Sequence, residues 1–187
     1  ERFNSYRPLQ MLTYMLDYSF WKLNPRGYHL TNTLLHILVG LAIFWFISLL
    51  FNDAFLSALT AILFVVHPVH TEAVIYVSGV AEPMALFFEL AALLAYLGFR
   101  EGGGFRMLGA SCGLYLLALL SKETALALPA LMILCECVRS GKPSDWKEYR
   151  WIAPFAAMAA VYAAARFSTM KMGQPLFQMP GIAHNLA

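Results

Sequence analysis

Charge is scarce in this chain. Only 13% of its 187 residues are Asp, Glu, Lys or Arg, and 13 basic against 11 acidic side chains leave a formal net charge of +2. No basic run is present that would track a phosphate backbone, which argues against a nucleic-acid binder. The three cysteines, Cys112, Cys135 and Cys137, all sit inside apolar stretches. That is poor placement for a disulfide framework or a paired-cysteine metal knuckle, and they read as small buried hydrophobes. No N-x-[ST] acceptor occurs, so exposure to a glycosylating lumen is left undecided. The opening residues ERFNSYRPLQ form neither a basic leader nor an apolar core segment, so no signal peptide is visible, and the start at Glu1 reads as a piece of something longer. Low-complexity stretches, heptads and internal repeats are lacking too.

What is present is apolar: 60% of the residues are AVILMFWYC, and the mean hydropathy is +0.61. Those values exclude a water-soluble globule and imply an all-α, polytopic transmembrane bundle. A bilayer core takes roughly 17 to 25 apolar residues per helix. Six candidate spans follow: residues 30–51, 54–66, 83–99, 107–120, 124–138 and 151–165. Residues 6–28 precede them, with Leu9, Leu12, Met15, Leu16 and Phe20 at helical spacing and aromatics interspersed, the pattern of a helix lying in the interface. Asn24-Pro25-Arg26-Gly27 supplies a turn before the first span. The tail from Phe167, with Pro175, Pro180 and Gly181, reads as a loop.

Loop charge alternates. Arg100 and Arg106 flank one loop and Arg139, Lys142, Lys147 and Arg150 populate another, whereas residues 67–82 hold no Lys or Arg. The positive-inside rule sends the basic loops to the cytoplasm and gathers residues 67–82, the Lys122-Glu123 turn, the N-terminal segment and the tail on the opposite face. Arg2, Arg7, Lys22 and Arg26 in the N-terminal segment run against that rule.

The densest polar stretch is His67-Pro68-Val69-His70-Thr71-Glu72, followed by Ser78 and Glu82. Two imidazoles and a carboxylate are suited to a divalent metal, to capping helix ends at the lipid boundary, or to contact with a polar substrate, and the spacing does not choose among these. Lys122 and Glu123 lie between two apolar stretches, where charge is expensive enough to mark a site, unless the neighbours compensate each other in a wet turn. Glu89 and His36, each inside a span, read as packed hydrogen-bonding groups. Arg7, ahead of Pro8, carries a guanidinium fork suited to two phosphate oxygens.

Three ordered motifs, SYRPLQMLTYMLDYSFWKLNPRGYHLTNTLLH, LFVVHPVHTEAVIYVSGVAEPMALFF and ALLSKETALALP, resemble the membrane part of the tetratricopeptide-repeat-containing transmembrane O-mannosyltransferases and their bacterial relatives. These belong to the GT-C class of polyprenol-dependent glycosyltransferases, and the resemblance covers about residues 5–138. It implies a GT-C-like transmembrane domain, with residues 1–187 as part of one such domain. The implied activity is transfer of a mannose-like sugar from a polyprenyl-phosphate donor to an acceptor hydroxyl, on protein or glycan, at the outer or luminal face. By the same resemblance, Arg7 and Lys122 bind the donor phosphate. Glu72, Glu82 and His70 are candidate catalytic groups, and His67 and Glu123 complete the polar cluster. Any metal would fall to His67, His70 and Glu72. Where the family has Gly-Arg-Ala-Glu, this chain has Gly79-Val80-Ala81-Glu82, one cation fewer. The family's acidic motif, holding the catalytic base, would precede Glu1, and its repeats would follow residue 187. The rival expectation is a non-catalytic membrane scaffold; a proton-relay transporter using Glu89 and His36 is disfavoured by the missing inverted repeat. Absent disulfides and sequons lean towards a bacterial inner membrane over the endoplasmic reticulum.

Overall fold

The computed structural model describes residues 7–140 and 149–172. Arg2, Lys142, Lys147, Pro175, Pro180 and Gly181 lie outside them. Among the described residues every regular element is helical. The order is α1 (Pro8–Trp21), α2 (Pro25–Phe51), α3 (Ala54–Val66), α4 (Thr71–Ile75), α5 (Ala81–Gly98), α6 (Gly104–Ser121), α7 (Leu128–Ser140) and α8 (Ala153–Met172).

Local chemistry sets the boundaries. Pro8 and Pro25 occupy first helical positions, where the missing N–H costs nothing. The Asn24 side chain caps α2 by accepting from Arg26 N–H at 3.2 Å. Asn52, left-handed at φ 53°, ends α2, and Asp53 caps α3 by accepting from Leu56 N–H at 3.0 Å. Those two adjacent residues turn the chain so that α3 packs back on α2. A wide turn, Phe99–Gly103, reverses the chain between α5 and α6. It requires glycine at Gly102 (φ 99°) and favours it at Gly104 (φ 73°).

The expected six spans are not confirmed. Two stretches, Pro25–Phe51 and Val77–Ser121, are long and apolar enough to cross a membrane, or three if Ala54–Val66 with Pro68–Ile75, bent by 49°, makes one broken span. Val77–Ser121 holds the α5–α6 hairpin, each arm 18 residues or about 27 Å. The expected spans at 54–66 and 124–138 fall short because α3 and α7 have only 13 residues each, under one bilayer thickness. The expected loop from Phe167 is instead helical to Met172.

The core lies where α5, α6, α7 and α8 meet, around Leu93, Tyr96, Tyr115, Leu119, Met132 and Phe155. Small residues bring α5 and α6 together: Ala92 and Ala118 are fully buried, and Ser111 Oγ donates to Ala92 O at 2.7 Å. In α1 the ordinary burial order is inverted. Met15 and Phe20 are 69% and 77% exposed, while Asp17 is buried and accepts from Thr31 Oγ1 of α2 at 2.7 Å. Apolar groups outward and a polar tie inward is the arrangement of a helix whose free face meets lipid.

Candidate functional site

The site forms where the start of α5 meets the end of α6. Residues 67–80 are a run of short helical turns, each too short to stand alone, and side chains from α1 and α2 hold them. Asn32 of α2 donates to Tyr76 O at 2.9 Å and Val74 O at 3.4 Å. Gln10 of α1 donates to Ser78 O at 3.2 Å, and Tyr14 donates to Val77 O at 3.4 Å. Gly79 permits the close crossing of this segment, since a Cβ there would sit 2.8 Å from Ala73 O and 2.9 Å from Ala73 Cα.

A cavity of about 180 Å³ results, with Arg7, Glu72, Ser78, Glu82 and Lys122 on its wall. Arg7, the residue ahead of α1, aims its fork at Glu123. Its Nε donates to Oε2 at 3.2 Å and a terminal nitrogen donates to Oε1 at 2.9 Å. Arg166 of α8 reaches the same Oε1 at 3.4 Å. Hydrogen bonding from Arg7, outweighing the opposing effect of partial burial and helped by the nearby Arg166 charge, holds the Glu123 carboxyl down at about 2. Lys122 pairs with Glu82. Glu72 is exposed, and its side chain makes no hydrogen bond or ion pair among the described residues.

The structure therefore brings Arg7, Glu72, Glu82, Lys122 and Glu123 together. Lys122 and Glu123 do not compensate each other; each has a distant partner. Arg7 and Lys122, expected on a phosphate, rest on carboxylates. His67 is exposed and its Nδ1 accepts from Val69 N–H at 3.2 Å, a cap on the following turn. His70 is turned away, its ring 4.2 Å from Phe64 and 5.6 Å from His36. No group of three or more His, Cys, Asp or Glu among the described residues is arranged to hold a metal, so His67, His70 and Glu72 are not gathered as ligands.

A second cavity of about 270 Å³ adjoins the first, sharing Ala73 and Glu82, and is lined by His36, Phe64, His70, Glu89 and Thr124 among others. Sequence reasoning missed Arg166, although a cation ending the last apolar stretch was a visible signal. Asn32, Gln10 and Tyr14 were missed as well, their partners being backbone carbonyls that no motif reveals.

No family model matches the chain, and no solved structure does. Among curated proteins, it is 49% identical to mouse and 47% to human protein O-mannosyl-transferase TMTC3, each over 92 residues, about half of the chain. With Xenopus laevis protein O-mannosyl-transferase tmtc2 the match is 32% identical over 170 residues, 91% of the chain. The chain is TMTC-like. It spans a small part of these relatives, 10% of each TMTC3 and 18% of the frog protein. The source organisms are eukaryotic, so the bacterial lean of the TMTC-like sequence gains no support from them.

Proposed function

We propose that this chain forms the donor-phosphate side of a glycosyltransferase active site, within one GT-C-like transmembrane domain. The enzyme moves a mannose-like sugar from polyprenyl phosphate to an acceptor hydroxyl on protein, at the outer or luminal face of a eukaryotic membrane. The observation that carries the reading is the cavity walled by Arg7 and Lys122 together with Glu72 and Glu82, in a chain related to proteins named O-mannosyl-transferases.

The chemistry uses both signs of charge. As the acceptor oxygen bonds to sugar C1, the C1–O bond to phosphate breaks and its electron pair leaves with the polyprenyl phosphate. Negative charge grows on that phosphate, where Arg7 and Lys122 stabilise it. To reach it, Arg7 exchanges Glu123 for phosphate oxygens, a like-for-like swap for a bidentate fork. Glu72, a wall carboxylate with no side-chain partner among the described residues, would orient the acceptor hydroxyl, while a carboxylate acting as general base takes its proton.

One observation favours a second reading. Arg7 and Lys122 each already have a carboxylate partner, which is also how a scaffold would fasten its helices. Native mass spectrometry of the full chain with added polyprenyl phosphate separates the two. Saturable binding that Arg7→Ala abolishes, and that Arg7→Lys keeps in part, supports the enzyme. Equal, non-saturable lipid uptake by all variants overturns it in favour of the scaffold.

A further inference from the structure

The second cavity contains a group whose hydrogen-bonding capacity is unmet. Glu89 is 8% exposed, lines the cavity, and makes no hydrogen bond or ion pair among the described residues. A carboxyl on a cavity wall with no side-chain partner among the described residues is free to accept from a ligand, and in a span such a group marks a functional position. His36, Phe64 and His70 also line the cavity and form a continuous run of rings, with His36 stacked on Phe64 at 5.1 Å and Phe64 against His70 at 4.2 Å. His36 is fixed by a contact of 3.2 Å between its Nε2 and Val65 O. Thr124 contributes a hydroxyl-bearing residue to the lining. An aromatic face with a few convergent polar groups suits a ligand with one apolar face and a hydroxylated edge, which describes a sugar ring.

Connectivity decides which sugar. In a polyprenyl-phosphate sugar, the ring is joined directly to a phosphate oxygen, so phosphate and sugar sites must adjoin. The two cavities do adjoin, at Glu82 and Ala73. A volume of about 270 Å³ falls just under the roughly 300 Å³ at which drug-sized ligand sites begin, which is room for one ring.

We propose that this second cavity is the pocket for the donor's hexose, in which Glu89 accepts hydrogen bonds from sugar hydroxyls and the His36-Phe64-His70 wall packs against the ring face. The assignment rests on the proposed donor-phosphate site. It makes Glu89 and His70 specificity-determining residues for the sugar, and it moves His70 from a catalytic role to a binding one.

The test compares two probes, polyprenyl phosphate and polyprenyl phosphate mannose, for affinity to the full chain in lipid nanodiscs. Wild type is expected to bind the mannosyl lipid about tenfold tighter, the scale of a hydrogen bond to a charged group. Glu89→Gln and His70→Ala are each expected to reduce that ratio towards one while affinity for bare polyprenyl phosphate, which also reports that the variant is folded, stays within twofold. A wild-type ratio near one, or a ratio kept by both variants, overturns the sugar pocket while leaving the phosphate site standing. If wild type binds neither lipid saturably, the phosphate site fails and this pocket fails with it.

Discussion

Glu136 offers the sharpest test of the packing that supports the site. It projects from α7 with its side chain only 3% exposed, and Arg100 Nε pairs with its Oε1 at 2.9 Å. Tyr96 donates its hydroxyl to the same oxygen at 2.8 Å, and a second Arg100 nitrogen donates to Oε2 at 3.3 Å. Removing one partner of a buried pair costs about 3–5 kcal/mol, because it strands a charge that the fold has already desolvated. Arg100 is itself 17% exposed and Tyr96 would remain, so Arg100→Ala belongs at the lower end, about 3 kcal/mol. For a chain of this size that is a fall in Tm of roughly 6–12 °C, read from tryptophan fluorescence in detergent. Arg106→Ala, an exposed cation near the same turn, is the control and should shift Tm by about 1 °C or less. The triple variant Arg100→Met, Glu136→Leu and Tyr96→Phe should regain most of the loss, since the apolar set carries no desolvation penalty and leaves no stranded hydroxyl. The knot lies about 20 Å along α5 from Glu82, so lipid-phosphate affinity of the folded fraction should not change. An Arg100→Ala shift no larger than that of Arg106→Ala would refute the reasoning.

Three further outcomes are expected. Glu123, held at about 2, contributes stability that is complete above its ordinary value near 4.5 and is lost as pH falls towards 2. The whole displacement is worth on the order of 3 kcal/mol, and with the side chain 35% exposed screening leaves about 1 kcal/mol; the Tm gap between wild type and Glu123→Gln should narrow from pH 7 to pH 3, and a constant gap counts against the pairing. Gly79→Ala drives a methyl into the Ala73 backbone, at a cost of about 1–3 kcal/mol, and should lower both Tm and lipid-phosphate affinity; unchanged values would mean the crossing is looser than described. Tyr115 carries a buried hydroxyl without a partner among the described residues, so Tyr115→Phe should raise Tm by roughly 2–4 °C, and a fall would reveal a hydrogen bond there.

The helical character was legible in the sequence, because it rests on local patterns. Apolar runs report burial or lipid, and Pro and Asn-Asp report helix ends. Span count was less legible: α3 and α7 read as apolar enough to cross, yet Pro68 bends the chain after one and the turn Glu123–Ala127 delays the start of the other to Leu128. Pairing was illegible. Lys122 and Glu123 are neighbours of opposite sign, and sequence allows them to neutralise each other. Lys122 is extended (φ −156°, ψ 146°) at the break between α6 and the turn Glu123–Ala127, and successive side chains on extended backbone point in opposite directions. The two charges then face different neighbours, and each pairs with a group brought in by another element. Lys122 reaches 40 residues back to Glu82, and Glu123 reaches 116 residues back to Arg7. A single extended residue between two helices thus ties α1 and α5 to the α6–α7 turn, and the same two pairs set on the cavity wall the cations that a phosphate would have to win.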